Sequence, residues 1–217
     1  MNVLAINGSP RKTWNTATLL QQALAGAAAR GATTELLHLY DLDYKGCTSC
    51  FACKMIAGTS SGRCAMQDDL RPVLEKIERD IDVLILGSPI YFGQVSGEMR
   101  SFMERLLFAP LVYSQPPRST FPRTIRTAVL YTMNVTEEVC AQVGYEAMFT
   151  AVAASVGRTF HSKTETLCCF DTLQFPDYAK VVMAYMDPAK KAARRAEVFP
   201  RDCEQAFALG ERLAGAP

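Results

Sequence analysis

The chain has 217 residues, 49% hydrophobic and 21% charged, with a net charge of +1. That composition supplies one full core, and the balanced charge gives no footing for a nucleic-acid partner or an acidic tail. No apolar run approaches a membrane span, and eight cysteines in a large chain that opens directly on strand residues are expected to be reduced thiols of a cytoplasmic protein.

Val3, Leu4, Ala5 and Ile6 form a continuous apolar run, the pattern of a strand covered on both faces. Asn7, Gly8, Ser9 and Pro10 break it. Leu19, Leu20, Ala23, Leu24 and Ala27 then recur at helical spacing, with Gly31 placed to end the helix after Arg30. Between strand and helix stand Ser9, Arg11, Lys12, Thr13, Asn15 and Thr16, a loop of donors with two cations. At a helix N-terminus such a loop suits a bound phosphate, because free N–H groups and the helix dipole favour an anion. A polar turn capped by Asn15 or Thr16 reads the same way. The loop is neither a Walker A sequence nor GxGxxG. The chain has no Cys-x5-Arg phosphatase loop, and its first strand does not end in the carboxylates of a phospho-acceptor domain.

Thr34–Tyr40 reads as a second strand, with His38 a strand residue of no assigned chemistry. The segment from Asp41 to Gln67 is too long and too cysteine-rich for a mere connector. Asp68, Asp69 and Pro72 favour the start of a helix with Leu70, Val73, Leu74 and Ile77 on its apolar face. Val83–Gly87 is the second continuous apolar run. Ser88 to Gly93 is expected as a loop, and Ser96 starts a helix buried through Met99, Phe102, Met103, Leu106 and Leu107. Pro110–Arg126 connects to a fourth strand at Thr127–Thr132. One long helix is expected from about Thr136 to Val156, ended by Gly157, and then a fifth strand at Thr164–Phe170. From Asp177 the chain turns helical, with Lys190–Arg195 on a solvated face and Asp202–Leu213 as the terminal helix.

Strands alternating with helices, and apolar central strands, predict an α/β fold: a doubly wound, five-stranded parallel sheet with helices on both faces. Residues 1–217 are read as a single domain with a helical C-terminal extension from about 177. In such sheets ligands sit beyond the strand carboxyl ends, at the switch point between the first and third strands. Those ends are NGSPRKTWNT and GSPIYFGQ, so topology brings the two most distinctive loops together.

These two loops resemble those of the NADPH-dependent FMN reductase family of flavodoxin-like proteins, nearest its iron–sulfur flavoprotein branch and cluster-free relatives. The resemblance runs through Arg105. It implies that Ser9, Arg11, Asn15 and Thr16 hold the phosphate of FMN, and that Pro89, Ile90, Tyr91, Phe92 and Gly93 wrap its ring. The chemistry agrees: Arg11 offers a planar fork to a near-dianion, and the second loop offers an apolar, aromatic wall. The resemblance also implies an oxidoreductase that passes electrons from NAD(P)H via FMN to a small acceptor such as a quinone. A homodimer or homotetramer is expected. The alternative is an electron-transfer protein serving protein partners. Such families often carry a Gly-rich third loop after the fourth strand, whereas Thr132–Val135 has no glycine. Trp14 either covers the site, meets a partner subunit or anchors the surface.

Cys47, Cys50, Cys53 and Cys64 give C-x2-C-x2-C-x10-C. The first three match the compact ferredoxin-type run, and Gly58 and Gly62 allow the loop to return Cys64 as a fourth ligand. Zinc is a poorer fit, because its sites usually pair two C-x2-C knuckles. The resemblance points to a [4Fe–4S] cluster; the long last gap and the missing proline after Cys64 speak against it. Cluster and free thiols both stay open, and little or no iron is expected. Cys168 and Cys169 should face opposite sides of a strand, and with Cys140 and Cys203 on helices they are read as structural.

Overall fold

Five parallel strands run through the centre of the computed structural model, which describes residues 1–56, 58, 60–183 and 185–215. In chain order the elements are β1 (Asn2–Asn7), α1 (Asn15–Ala29), β2 (Thr33–His38), α2 (Leu70–Asp80), β3 (Val83–Tyr91), β4 (Gln94–Val95), α3 (Gly97–Phe108), β5 (Leu111–Val112), β6 (Arg118–Ser119), β7 (Arg126–Thr132), α4 (Glu137–Gln142), α5 (Tyr145–Phe160), β8 (Thr164–Cys169), α6 (Pro188–Glu197) and α7 (Phe199–Ala214). The sheet order is β2-β1-β3-β7-β8, the flavodoxin-like doubly wound arrangement, with its switch point between β1 and β3.

Each strand divides its side chains between two cores. Leu4, Ile6, Leu84, Leu86, Val129 and Tyr131 meet Ile77, Phe102, Leu106, Val156 and Phe160 of α2, α3 and α5 on one face. Val3, Ala5, Val83, Ile85, Ala128 and Leu130 meet α1 and α7 on the other. The two-residue period of a strand explains this split, and both faces are apolar because both carry helices. Cys168 and Cys169 fall on opposite faces as expected.

On the second face α1 and α7 approach backbone to backbone. A Cβ added to Gly210 would lie 1.8 Å from the Ala23 carbonyl oxygen, and one at Gly26 would lie 2.0 Å from that of Phe207. The C-terminal helix therefore belongs to the sheet's own helix layer.

Several boundaries differ from the sequence reading. β2 stops at His38, and Leu39–Asp41 turns as a short 3-10 helix. β3 does not end before Ser88 but runs to Tyr91 and folds back onto β4. The Pro110–Arg126 connection contains a small hairpin, β5 with β6. The long helix expected after β7 is two helices, because Gly144 adopts φ +75° between α4 and α5. Gly157 does not end the second one. It lies inside α5, where a Cβ would stand 2.5 Å from the Ser162 carbonyl oxygen, so its role is close approach. Lys190–Arg195 is only partly a solvated face: Lys190 is exposed, but Lys191 is buried on Asp171 and on the Asn134 carbonyl (2.8 Å), and Arg194 pairs with Asp202 (2.6 Å).

Candidate functional site

The turn after β1 is built by its own side chains. Asn7 Oδ1 accepts the Ser9 N–H (3.0 Å), and Ser9 Oγ accepts the Arg11 N–H (3.1 Å), which folds the chain back over the strand end. α1 then begins without a side-chain cap and without an acidic residue in its first turn. Its leading N–H groups thus lack a local side-chain acceptor, the condition under which a helix N-terminus favours an anion. Ser9, Asn15 and Thr16 are buried here and Arg11 is exposed. Thr16 Oγ1 lies 2.7 Å from Thr132 Oγ1, tying the loop to the end of β7.

The second loop meets the first directly. The Gly8 N–H donates to the Gly87 carbonyl (2.8 Å), and Ser96 Oγ donates to the Gly8 carbonyl (2.5 Å) while accepting the Met99 N–H as cap of α3. Pro89 and Ile90 are half-buried beyond this junction. Phe92 and Gly93, at φ +50° and +75°, make a two-residue hairpin turn, and the Tyr145 ring leaves no room for a Cβ on Gly93. Tyr91 is 44% exposed and Phe92 wholly so. Neither ring is core material, so the hairpin presents an aromatic edge beside the switch point.

The residues after β8 close over the first loop, which sequence reasoning did not foresee. The Leu173 carbonyl accepts from Trp14 Nε1 (3.1 Å) and Asn15 Nδ2 (2.8 Å), and the Gln174 carbonyl accepts from Arg11 Nη1 (2.5 Å). Trp14 is thereby anchored inside the chain, with the Arg11 guanidinium 5.1 Å from its ring centroid. From α6, Arg195 Nη1 donates to Asn15 Oδ1 (2.8 Å). The glycine-free Thr132–Val135 loop is covered by Lys191 and Met186, and Asn134 keeps a buried Oδ1 without a partner among the described residues. His38 also belongs to this neighbourhood. Its Nδ1 accepts from Asn7 Nδ2 (2.9 Å), and burial, outweighing the pull of Asp41, holds its pKa below the usual value. The signal for Arg195 was only a basic run on an amphipathic helix, which reads as surface unless the neighbouring loop is known.

The cysteine segment lies elsewhere, against α3. Cys47, Cys50, Cys53 and Cys64 line one cavity of about 20 Å³ with Phe51, Met66, Phe108 and Arg105. Arg105 is fully buried. Its Nε meets Cys64 Sγ (3.2 Å), its Nη1 meets the Lys45 carbonyl (3.2 Å) and Asp68, and its Nη2 has no partner among the described residues. Lys54 caps the end of α3 through the Phe108, Ala109 and Leu111 carbonyls. Burial pushes the Cys53 thiol up, against the opposing charge of Lys54. The four cysteines share one cavity, but among the described residues no three acidic, histidine or cysteine side chains are disposed to hold a single metal ion.

Comparison with known proteins places this geometry. An iron–sulfur flavoprotein of Methanocaldococcus jannaschii is 39% identical over 105 residues, covering 48% of this chain and 51% of the relative. One from Archaeoglobus fulgidus is 38% identical over 105 residues, 48% of each chain. The chain thus spans about half the length of the curated relatives it matches. An NAD(P)H:quinone oxidoreductase of Methanothermobacter marburgensis superposes with a TM-score of 0.71 at 16% identity, over 98% of both chains. An FMN-dependent NADH-azoreductase of Bacillus anthracis, solved with FMN, does so with a TM-score of 0.67 at 11% identity, over 99% of this chain and 100% of the other. At such identities the likeness to these two structures is one of fold. Residues 1–123, more than half of the chain and the part that holds both loops, match the NADPH-dependent FMN reductase family, to which this protein belongs.

Proposed function

We propose that the protein binds FMN across the β1 and β3 loops and works as an NAD(P)H-dependent oxidoreductase that reduces a small acceptor such as a quinone. The observation that carries this reading is the junction at the switch point. An uncapped helix N-terminus ringed by Ser9, Arg11, Asn15 and Thr16 is hydrogen-bonded, through Gly8, to a loop that raises Ile90, Tyr91 and Phe92 beside it. A phosphate fits the first half and a flat aromatic ring system the second. FMN held there would supply the capacity to accept hydride from a nicotinamide and to pass electrons on. The chain's own part is to bind and orient. Ser9, Thr16 and the leading N–H groups of α1 would hold the phosphate, Arg11 would neutralise it, and Pro89–Gly93 would wall the ring from water. No side chain is assigned as acid or base. The names of the quinone oxidoreductase and the FMN-bound azoreductase support the same chemistry.

Purified protein should show flavin absorbance after FMN is added and should oxidise NAD(P)H only when a quinone is supplied. Flavin binding without such turnover would move the reading to an electron carrier for protein partners.

For the cysteines the donor chemistry suits a cluster but the space does not. A cavity of about 20 Å³ holds roughly one water. A cluster of four irons and four sulfides requires the loop carrying Cys53 and Cys64 to open, whereas free thiols require no movement. We therefore retain free thiols as the first reading. The iron–sulfur relatives keep the other alive, and iron analysis of anaerobically purified protein separates the two.

The fully exposed Phe92 and partly exposed Tyr91 also support a homodimer in which a second subunit covers the hairpin.

A further inference from the structure

The first loop carries Arg11 and Lys12, α6 brings Lys191, Arg194 and Arg195, and three of these five cations are neutralised. Lys12 pairs with Asp41, Lys191 with Asp171 and Arg194 with Asp202. Among the described residues, Arg11 and Arg195 have no carboxylate partner, and both donate instead to neutral oxygens, the Gln174 carbonyl and the Asn15 amide. Both guanidinium groups also lie over aromatic rings: Arg11 on Trp14 and Arg195 on Phe199, the latter with its Cζ 3.8 Å from the ring centroid. Stacking fixes a guanidinium plane in advance and leaves its edge donors free for an acceptor. A guanidinium carries five N–H groups, and Arg195 spends one on Asn15.

The placement of Arg195 is a product of the fold. Asp187 caps α6 by accepting the Ala189 N–H (2.9 Å), Phe199 is buried at the start of α7, and α7 lies against α1 through the Gly26 and Gly210 contacts. The first turn of α1 thus receives a cation from a helix about 180 residues away in sequence.

We propose that Arg195 is the second cation of the phosphate site, held in place by its contact with Asn15. Its contact with Asn15 Oδ1 fixes the amide in the orientation in which Nδ2 donates to the Leu173 carbonyl. Its uncompensated charge, with that of Arg11, matches the two negative charges of a phosphate monoester. This rests on the FMN reading, and it extends the site into a part of the chain beyond the family match. A phosphate monoester reaches such a protein on FMN or on the ribose of NADPH, and the position of Arg195 beside Asn15 assigns it to the flavin.

The test compares FMN and riboflavin binding to the flavin-free full-length chain, by fluorescence titration, for wild type, Arg195→Leu and Arg195→Lys. Wild type should favour FMN. Arg195→Leu should lose about tenfold or more in FMN affinity, the worth of a hydrogen bond to a charged group, with riboflavin almost unchanged. Arg195→Lys should recover part of the loss, and the ratio of NADPH to NADH KM should stay the same in all three. Equal losses for both flavins would make Arg195 merely structural and overturn the inference. So would wild-type FMN affinity in the Leu variant, or a change confined to NADPH, which would put Arg195 on the nucleotide. If Arg195→Leu does not fold, Arg195→Gln is titrated in its place and judged by the same outcomes. A wild type indifferent to the flavin phosphate would fell the FMN-phosphate reading itself and this inference with it; an intact wild-type preference that survives Arg195→Leu fells the inference alone.

Discussion

The contact between α1 and α7 makes an exacting prediction for Gly210→Ala. Helix propensity alone favours alanine over glycine by up to about 1 kcal/mol. Sterics oppose it, because the new methyl would lie 1.8 Å from the Ala23 carbonyl oxygen, with the Ala23 carbonyl carbon at 2.7 Å and its Cα at 3.0 Å. Ordinary contact near roughly 3.5 Å requires the helices to part by about 1.7 Å at this point. Every obstructing atom is backbone, so no rotamer change relieves the clash. The parting would loosen Leu209 and Leu213 from the β1 and β3 side chains they cover. Overpacking typically costs about 1–3 kcal/mol, and a backbone obstacle places this case at the upper end. The steric effect wins, for a net loss of about 2 kcal/mol, or roughly 4–8 °C in Tm for a chain of this size. Thermal and urea unfolding followed by circular dichroism measure it. Gly97→Ala is the control, since a Cβ there meets nothing within 4 Å; it should be neutral or mildly stabilising. A Gly210→Ala protein as stable as wild type would refute the close approach, and with it the means by which α7 sets the position of Arg195.

Arg11→Ala should weaken FMN by about 1.5–3 kcal/mol, with riboflavin much less affected; equal losses would place Arg11 outside the phosphate site. Asp68 is raised by burial, but the hydrogen bond and charge of Arg105 outweigh this and leave its pKa below the ordinary value. A carboxyl depressed in the folded state stabilises above its unfolded pKa, and that stability is lost as pH falls through the folded value. Asp68→Asn should therefore destabilise at neutral pH, by up to about 3–5 kcal/mol for a pair whose arginine is buried, and should flatten the acid limb of the stability curve; an unchanged acid limb in urea unfolding would contradict this. Alkylation followed by mass spectrometry should label exposed Cys50 well before Cys168, which burial pushes up to about 12, and before the buried Cys169. Labelling in the reverse order would show that β8 is open. Phe92→Glu should convert a dimer into monomers by light scattering, and a monomeric wild type would remove the proposed interface.

The central strands β1 and β3 were legible as continuous apolar runs, because a strand buried on both faces shows few polar side chains. The edge strands β2 and β8, with Glu35 and Glu165 among them, were read from their place between helices. The switch-point argument likewise followed from strand order, since a doubly wound sheet leaves its crevice at one place. The helix starting at Ser96 was readable from its cap, a local interaction completed within four residues. Where local cues misled, the chain's return a few residues further on was the cause. Gly157 looks like a helix end but is small because the chain returns past it at Ser162. The strand through Pro89 continues because β4 folds back to pair with Ile90 and Tyr91.

The phosphate loop shows the division most clearly. Its donors, and their place at a helix N-terminus, are written in consecutive residues and follow from the sequence by itself. What surrounds those donors is not. The Leu173 and Gln174 carbonyls, Thr132 and Arg195 reach the loop only after β7, β8, α6 and α7 have taken their places. The four cysteines divide in the same way: their spacing was plain, but the size of the cavity they share and the buried Arg105 beside Cys64 depend on how α3 packs beneath them. A spacing names which ligands are available. Only the packed chain sets the distance between them, because that distance is the sum of contacts made by elements remote in sequence.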